Sequence, residues 1–262
     1  KSKYYETKVI EFFAWLQKTK GLTSNSARSF IIAVQSYFNY YDVGLKLKNK
    51  LPNLHMKLDE QKISIDDVRE IYKYNDLTVK TWIAFSRDIP ARISDLLTIT
   101  REQIKRKEFL LESGKEKIVG KCFVSEETLN LFEKYWKTVP ESNYAFTAPN
   151  GGSYDQSSIN KMLKNATEKT GLKINMHQHL FRKLFITTAI NLGLQSEVIK
   201  ILTFKAVDQS FLTYFLDREG LRNEWQKVID VLSLEPNRAN GRIDNLQEAL
   251  DLVMKTLRTM IQ

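Results

Sequence analysis

The stretch Phe109-Leu-Leu-Glu-Ser-Gly-Lys-Glu-Lys-Ile-Val-Gly-Lys-Cys-Phe-Val124 holds two short apolar runs, Phe109 to Glu112 and Ile118 to Val124, separated by the charged turn Ser113 to Lys117. Runs of this length, rich in β-forming residues and broken by Ser-Gly, predict an antiparallel hairpin with a basic tip. It is the one strong β signal in the chain, and everything around it reads as helix. Ile65 to Tyr72, with Asp66 and Asp67 in its first turn, predicts a helix whose start meets the positive end of the macrodipole. Leu77 to Phe85 and Ser94 to Ile99 continue the pattern upstream of the hairpin, and Ser125 to Trp136 does so downstream. After a loop from Pro140 to Gly152, helices are expected at Ser157 to Thr170, Leu180 to Leu192, Ser196 to Leu202, Gln209 to Leu216 and Ile243 to Ile261. The last of these carries Leu246, Leu250, Val253, Leu257 and Met260 on one stripe.

Towards the N-terminus, Val9, Phe12, Phe13 and Leu16 recur at helical spacing between Tyr4 and Lys20, and Gly21 stands where a helix C′ residue is expected. A second helix starts near Ser24 or Ser26, either of which suits the N-cap, and carries Phe30, Ile31, Val34, Phe38 and Tyr41 on a broad apolar face. The Pro52-containing stretch Lys46 to Lys57 has no sustained period and reads as a basic linker. These readings give a mainly α chain with one small antiparallel hairpin, divided into a helical unit over 1–58 and a larger one over 59–262. The sequence begins with Lys1 and not Met, so a fragment lacking its own N-terminal region is expected.

Composition narrows the function classes. With 262 residues, 42% of them apolar, the chain can bury a sizeable core. Forty Lys and Arg against 31 Asp and Glu leave a formal charge of +9, which favours a polyanionic partner, nucleic acid before an acidic membrane surface. Cys122 is the sole cysteine, which excludes an internal disulfide framework and a Cys-rich zinc site and suits a reducing compartment. No apolar run is long enough for a bilayer and no signal peptide is read, so a cytoplasmic location and no membrane partner are expected. Gly151-Gly152 lacks the following Gly-Lys-Ser/Thr of a phosphate loop and reads as a plain turn.

Three separated clusters bear groups suited to phosphate chemistry: Ala91-Arg-Ile-Ser-Asp-Leu-Leu97, His179-Leu-Phe-Arg182, and the stretch from Lys205 to Tyr214, nine positions apart. Taken singly, an Arg92/Asp95 pair is an ordinary helix ion pair and Tyr214 is one tyrosine of 11. Taken in order, they resemble the boxes of the tyrosine recombinase, or phage integrase, family. Ala91 to Ile99 is similar to the first box, and His179-Leu-Phe-Arg182 to the His-x-x-Arg box. The segments Tyr144 to Gly152 and Ile159 to Ala166 are similar to the loop and helix between them. The resemblance runs from about Ile63 to Phe215, with Lys1 to Tyr41 similar to a shortened core-binding domain. Three departures stand out: Lys183 follows Arg182 where another His is commoner, Pro90 replaces a Gly-rich turn, and Lys205 stands in the place of a His or Trp.

The resemblance implies a DNA strand-breaking and rejoining enzyme with Tyr214 as nucleophile, acting without metal or other cofactor. Arg92 and Arg182 would balance charge on the non-bridging oxygens, a task suited to permanently charged, bidentate guanidinium groups. A phenol, with an unperturbed pKa of about 10, needs a base or nearby cations, and His179 is the candidate proton acceptor. A hairpin lysine would protonate the leaving 5′ oxygen; Lys115 matches best and Lys117 is its rival. Lys205 would donate to the scissile phosphate, and Asp95 would orient its neighbours and support His179, while His177 is a bystander. Arg28, Lys46, Lys48 and Lys50 are candidate contacts to the DNA backbone. The implied partner is double-stranded DNA at an attachment or recombination site of a mobile element of viral or plasmid type. A homotetramer is expected on DNA and a monomer or weak dimer when free. Two other readings fit the same residues: a type IB topoisomerase, which has similar chemistry, and a non-catalytic DNA-binding module, favoured by Lys205.

Overall fold

A computed structural model describes residues 2–47, 51, 62–115, 117–208 and 218–235. The chain divides into two compact units, residues 1–60 and 61–262. In the first, α1 (Ser2–Lys18) and α2 (Ser24–Tyr40) pack together through Val9, Phe13 and Leu16 of one helix and Ala27 and Ile31 of the other. The N-cap of α2 is Thr23, not Ser24 or Ser26: its side chain accepts the N–H of Ser26. The seam follows Ala27, Ile31, Val34 and Phe38, an i, i+4, i+7, i+11 series. Phe30 and Tyr41, expected on the buried face, lie off that seam and are 51% and 59% exposed.

The second unit is built around α4 (Leu77–Asp88), preceded by α3 (Ile65–Lys73). Ser64 and Asp67 form a reciprocal capping box at the start of α3, a device that typically stabilises a helix start by about 1 kcal/mol. Every residue of α4 from Thr81 to Asp88 is buried, as expected of a helix packed on all sides. It contacts α3, α7 (Glu126–Trp136), α8 (Gln156–Glu168) and α9 (Gln178–Asn191). The aromatic contacts Trp82–Phe146, Phe85–Phe132 and Tyr135–Phe146 fill the space between these elements.

After α4, the helix expected over Ser94 to Ile99 is cut short to α5 (Ile93–Leu96), and a further short helix that was not expected, α6 (Arg101–Arg106), follows it. The cause is a new local cap together with pairing to a segment distant in sequence. Thr100 caps α6 with Gln103, while the Ile99 carbonyl accepts the N–H of Ala145 and Thr100 bridges Tyr144. The hairpin follows: β1 (Glu108–Glu112) pairs antiparallel with β2 (Val119–Phe123), with Glu108 opposite Phe123 and Glu112 opposite Val119. A second apolar cluster joins α9, α10 (Ser196–Leu202) and α11 (Arg218–Val231) through Phe185, Ala189, Ile201, Leu221, Trp225 and Val228. The Pro140 to Gly152 loop carries two isolated bridges, and Gly151 turns at φ +84° under an N–H bond to Ala148. The expected helices at Gln209 to Leu216 and Ile243 to Ile261, and most of the linker, lie outside the described residues. Among the described residues no helix is long and apolar enough to cross a membrane.

Candidate active site

The first box begins where α4 ends. Ala91 donates its N–H to the Ile89 carbonyl, a three-residue turn centred on Pro90, whose fixed φ suits it. Arg92 then takes the N-cap position of α5 in extended conformation, with no side-chain cap bond. Asp95 is buried, 2% exposed, and its Oδ1 accepts the N–H of Gly114 at 3.0 Å. This bond ties the first box to the turn of the hairpin, 19 residues further along the chain. Its other oxygen, Oδ2, is buried without a hydrogen-bond partner among the described residues.

The hairpin tip separates the two lysines that sequence alone leaves as rivals. Lys117 sits at φ +55° and lies 3.6 Å from Glu112, with both side chains exposed. Lys115, next to the Gly114 that Asp95 holds, is exposed and makes no ion pair among the described residues. Further down the hairpin Lys121 is buried and paired with Glu108, so its charge is already balanced.

The second box lies at the start of α9, which begins at Gln178 and not at Leu180 as expected. The earlier start has a tertiary cause. Gln178 is buried, and its Oε1 accepts both the indole N–H of Trp82 at 2.9 Å and the hydroxyl of Ser86 at 2.9 Å. His177 caps the helix in extended conformation, with Nδ1 2.8 Å from the Asn175 carbonyl oxygen. His179 and Arg182 both fall within α9, three residues apart; His179 is exposed and Arg182 is 5% exposed. The uncapped first turn adds the positive end of the helix dipole to the field around them.

Lys205 follows α10, whose end is a Schellman turn. The N–H of Phe204 bonds to Ile201 and that of Lys205 to Lys200, with Phe204 at φ +54°. Lys205 itself is exposed. Tyr214 lies outside the described residues, as do Lys48 and Lys50. Arg28 is half-buried on α2, and Lys46 is exposed while its backbone N–H bonds to Glu6.

Sequence reading missed the groups that hold these parts in place. Arg87, 3% exposed, bonds to Asp88 at 2.7 Å, to Glu127 at 2.6 Å and to Ser125 at 2.9 Å. Burial alone would lower its pKa, but the two carboxylates outweigh it and raise it. Asp88 also accepts the Ser125 N–H at 2.7 Å, and its carbonyl oxygen accepts the indole N–H of Trp225. The end of α4, a short turn before Arg92, is thereby fixed to α7 and α11. The adjacent charges Arg87-Asp88 closing an apolar helix are the signal that could have found this network.

Known proteins give a consistent picture. The profile of the phage integrase family matches residues 61–208. Among solved structures, the Tn1549 transposon integrase in complex with transposon right end DNA is similar at 13% identity and a TM-score of 0.62, covering 80% of each chain. A lambda integrase dimer bound to a COC′ core site is similar at 10% identity and a TM-score of 0.60, covering 82% of this chain and 80% of that one. The XerH site-specific recombinase in its post-cleavage complex with palindromic difH substrate is similar at 12% identity and a TM-score of 0.59, covering 94% and 72%. At these identities the likeness is one of fold. Comparison with curated proteins gives no match. The family profile spans more than half of the chain, over the helices and hairpin that carry Arg92, Lys115, His179, Arg182 and Lys205, and the protein belongs to the phage integrase family of tyrosine recombinases.

Proposed function

We propose that the protein is a site-specific DNA recombinase that cleaves and rejoins strands through a 3′-phosphotyrosine at Tyr214, integrating or excising a mobile element. The observation that carries the reading is the bond from Gly114 to Asp95, which joins the arginine box to the turn bearing Lys115. Arg92 and Arg182 balance charge on the non-bridging oxygens as the tyrosine oxygen attacks phosphorus. His179 takes the phenolic proton, Lys205 donates to the phosphate, and Lys115 gives a proton to the departing 5′ oxygen. Of the two hairpin lysines, Lys117 is engaged by Glu112, which supports Lys115 in this role. Because the phosphodiester energy is kept in the covalent bond, a 5′ hydroxyl of a second duplex reseals the strand without a nucleotide cofactor. DNA recombination sites are bound by the similar lambda and XerH proteins, and a tetramer on two paired sites is the assembly proposed here.

The test is a nicked duplex carrying the protein's own attachment sequence. The wild type is expected to give a covalent adduct that resists denaturant and survives chelation, and Tyr214→Phe none. Lys115→Ala should slow adduct formation by about 10²-fold or more, with Lys117→Ala close to wild type. Adduct without exchange between two sites would point to a topoisomerase, and no adduct on any DNA to a binding module.

A further inference from the structure

Two helices of the second unit end in the same hydrogen-bond pattern with opposite residues at the critical position. At the end of α9, Gly193 bonds to Ile190 and Leu194 to Ala189, with Gly193 at φ +75° and open space where a side chain would stand. This is the residue the left-handed conformation favours. At the end of α10 the equivalent position holds Phe204, fully buried at φ +54°. Its ring lies against Gly120 of β2: a Cβ built there would meet Phe204 Cδ1 at 2.6 Å, Cε1 at 2.7 Å and the Ile201 carbonyl oxygen at 3.0 Å. A side chain at position 120 would therefore have to displace the Phe204 ring or β2 itself. Phe204 directly precedes Lys205, and Gly120 is five residues from Lys115 on a hairpin paired along both strands.

We propose that Phe204 is a positioning residue, which seats its ring on Gly120 and thereby sets the Lys115 hairpin tip in fixed register for cleavage. The inference rests on the reading of Lys115 as the acid for the leaving oxygen. Displacing β2 at Gly120 moves the paired hairpin as a unit, because its register runs unbroken from Glu108↔Phe123 to Glu112↔Val119. The lysine then donates its proton from the wrong place, while the arginines that meet the phosphate are carried by α5 and α9 and keep theirs.

Leaving-group chemistry separates this from a general loss of structure. In ordinary DNA the P–O5′ bond breaks as the oxygen takes a proton from Lys115. With sulfur in place of the bridging 5′ oxygen, a thiolate departs with no proton needed. Full-length wild type, Lys115→Ala, Gly120→Ala and Phe204→Leu are compared for the rate of covalent adduct on the two substrates, with thermal unfolding as a check on folding. Gly120→Ala is expected to slow cleavage of ordinary DNA by about tenfold to a hundredfold and to return to near the wild-type rate on the sulfur substrate, as Lys115→Ala does. Phe204→Leu leaves Gly120 intact and keeps an apolar side chain, and should show the same substrate dependence even if Gly120→Ala fails to fold. Recovery of Lys115→Ala without recovery of Gly120→Ala and Phe204→Leu would overturn the coupling and leave the acid assignment standing. Failure of Lys115→Ala to recover would overturn the acid assignment, and the coupling with it. Full activity of both Gly120→Ala and Phe204→Leu on ordinary DNA would also overturn the coupling.

Discussion

Asp95 is a buried carboxylate whose described side-chain bonds come from the Gly114 N–H and the Ser94 hydroxyl. Since a hydrogen bond to a charged group is worth about 1.5–3 kcal/mol and the burial of Oδ2 works against it, Asp95→Ala should cost less than about 2 kcal/mol of stability. Adduct formation should fall by a tenfold or more, because the Lys115 turn loses its tie. Asp95→Asn keeps an acceptor for Gly114 and should recover most of the rate; adduct assays beside urea unfolding decide, and an Asn variant as slow as Ala would mean that charge and not the tie matters. The boxes that hold Arg92, His179 and Arg182 can be picked out because each is contiguous in sequence, whereas sequence leaves Lys115 and Lys117 as rivals. The Asp95–Gly114 contact was not legible, being 19 residues apart and set by the fold. Phe204 was hidden for a sharper reason. Left-handed backbone costs a non-glycine residue about 1–2 kcal/mol, so local rules point away from it, yet emptying a buried Phe site costs about 3–5 kcal/mol. Burial wins.

Elements with strong local start signals were readable: the acidic first turn of α3, Ser125 before α7, and α10, which runs over the expected Ser196–Leu202. The elements misjudged are those set by partners distant in sequence. The α5–α6 break follows from pairing of Ile99 and Thr100 with Tyr144 and Ala145. The start of α9 follows from Gln178, which accepts from two donors on α4. Gln178→Ala would strand the Trp82 indole N–H and the Ser86 hydroxyl in the core, at about 1–3 kcal/mol for each buried unpaired group. A loss of about 2–4 kcal/mol in denaturant unfolding is expected, whereas Gln178→Glu keeps the acceptor and should cost less. Because α9 carries His179 and Arg182, the Ala variant should also lose adduct formation at temperatures where it is still folded.

For the molecule as a whole, the excess of 40 basic over 31 acidic side chains should appear as steep salt dependence of DNA binding. Each phosphate contact adds about −0.9 to the slope of log affinity against log salt. Arg28→Ala and Lys46→Ala should each reduce that slope by about one and weaken binding evenly across sequences, read by fluorescence anisotropy from low to physiological salt; an unchanged slope would remove those residues from the DNA contact. The last feature lies near the end of β2. Cys122 is the sole cysteine of the chain, it is buried, and burial, with the Asp95 charge behind it, pushes its thiol well above the ordinary range. Without accessible thiolate the folded protein should be silent to maleimides near neutral pH. Cysteines introduced at exposed sites, such as Tyr40 on the first unit and Lys164 on the second, would then be the sole attachment points for a donor and acceptor dye. The sequence is in this sense a ready background for testing, by energy transfer, whether the separation of the two units changes when DNA is added.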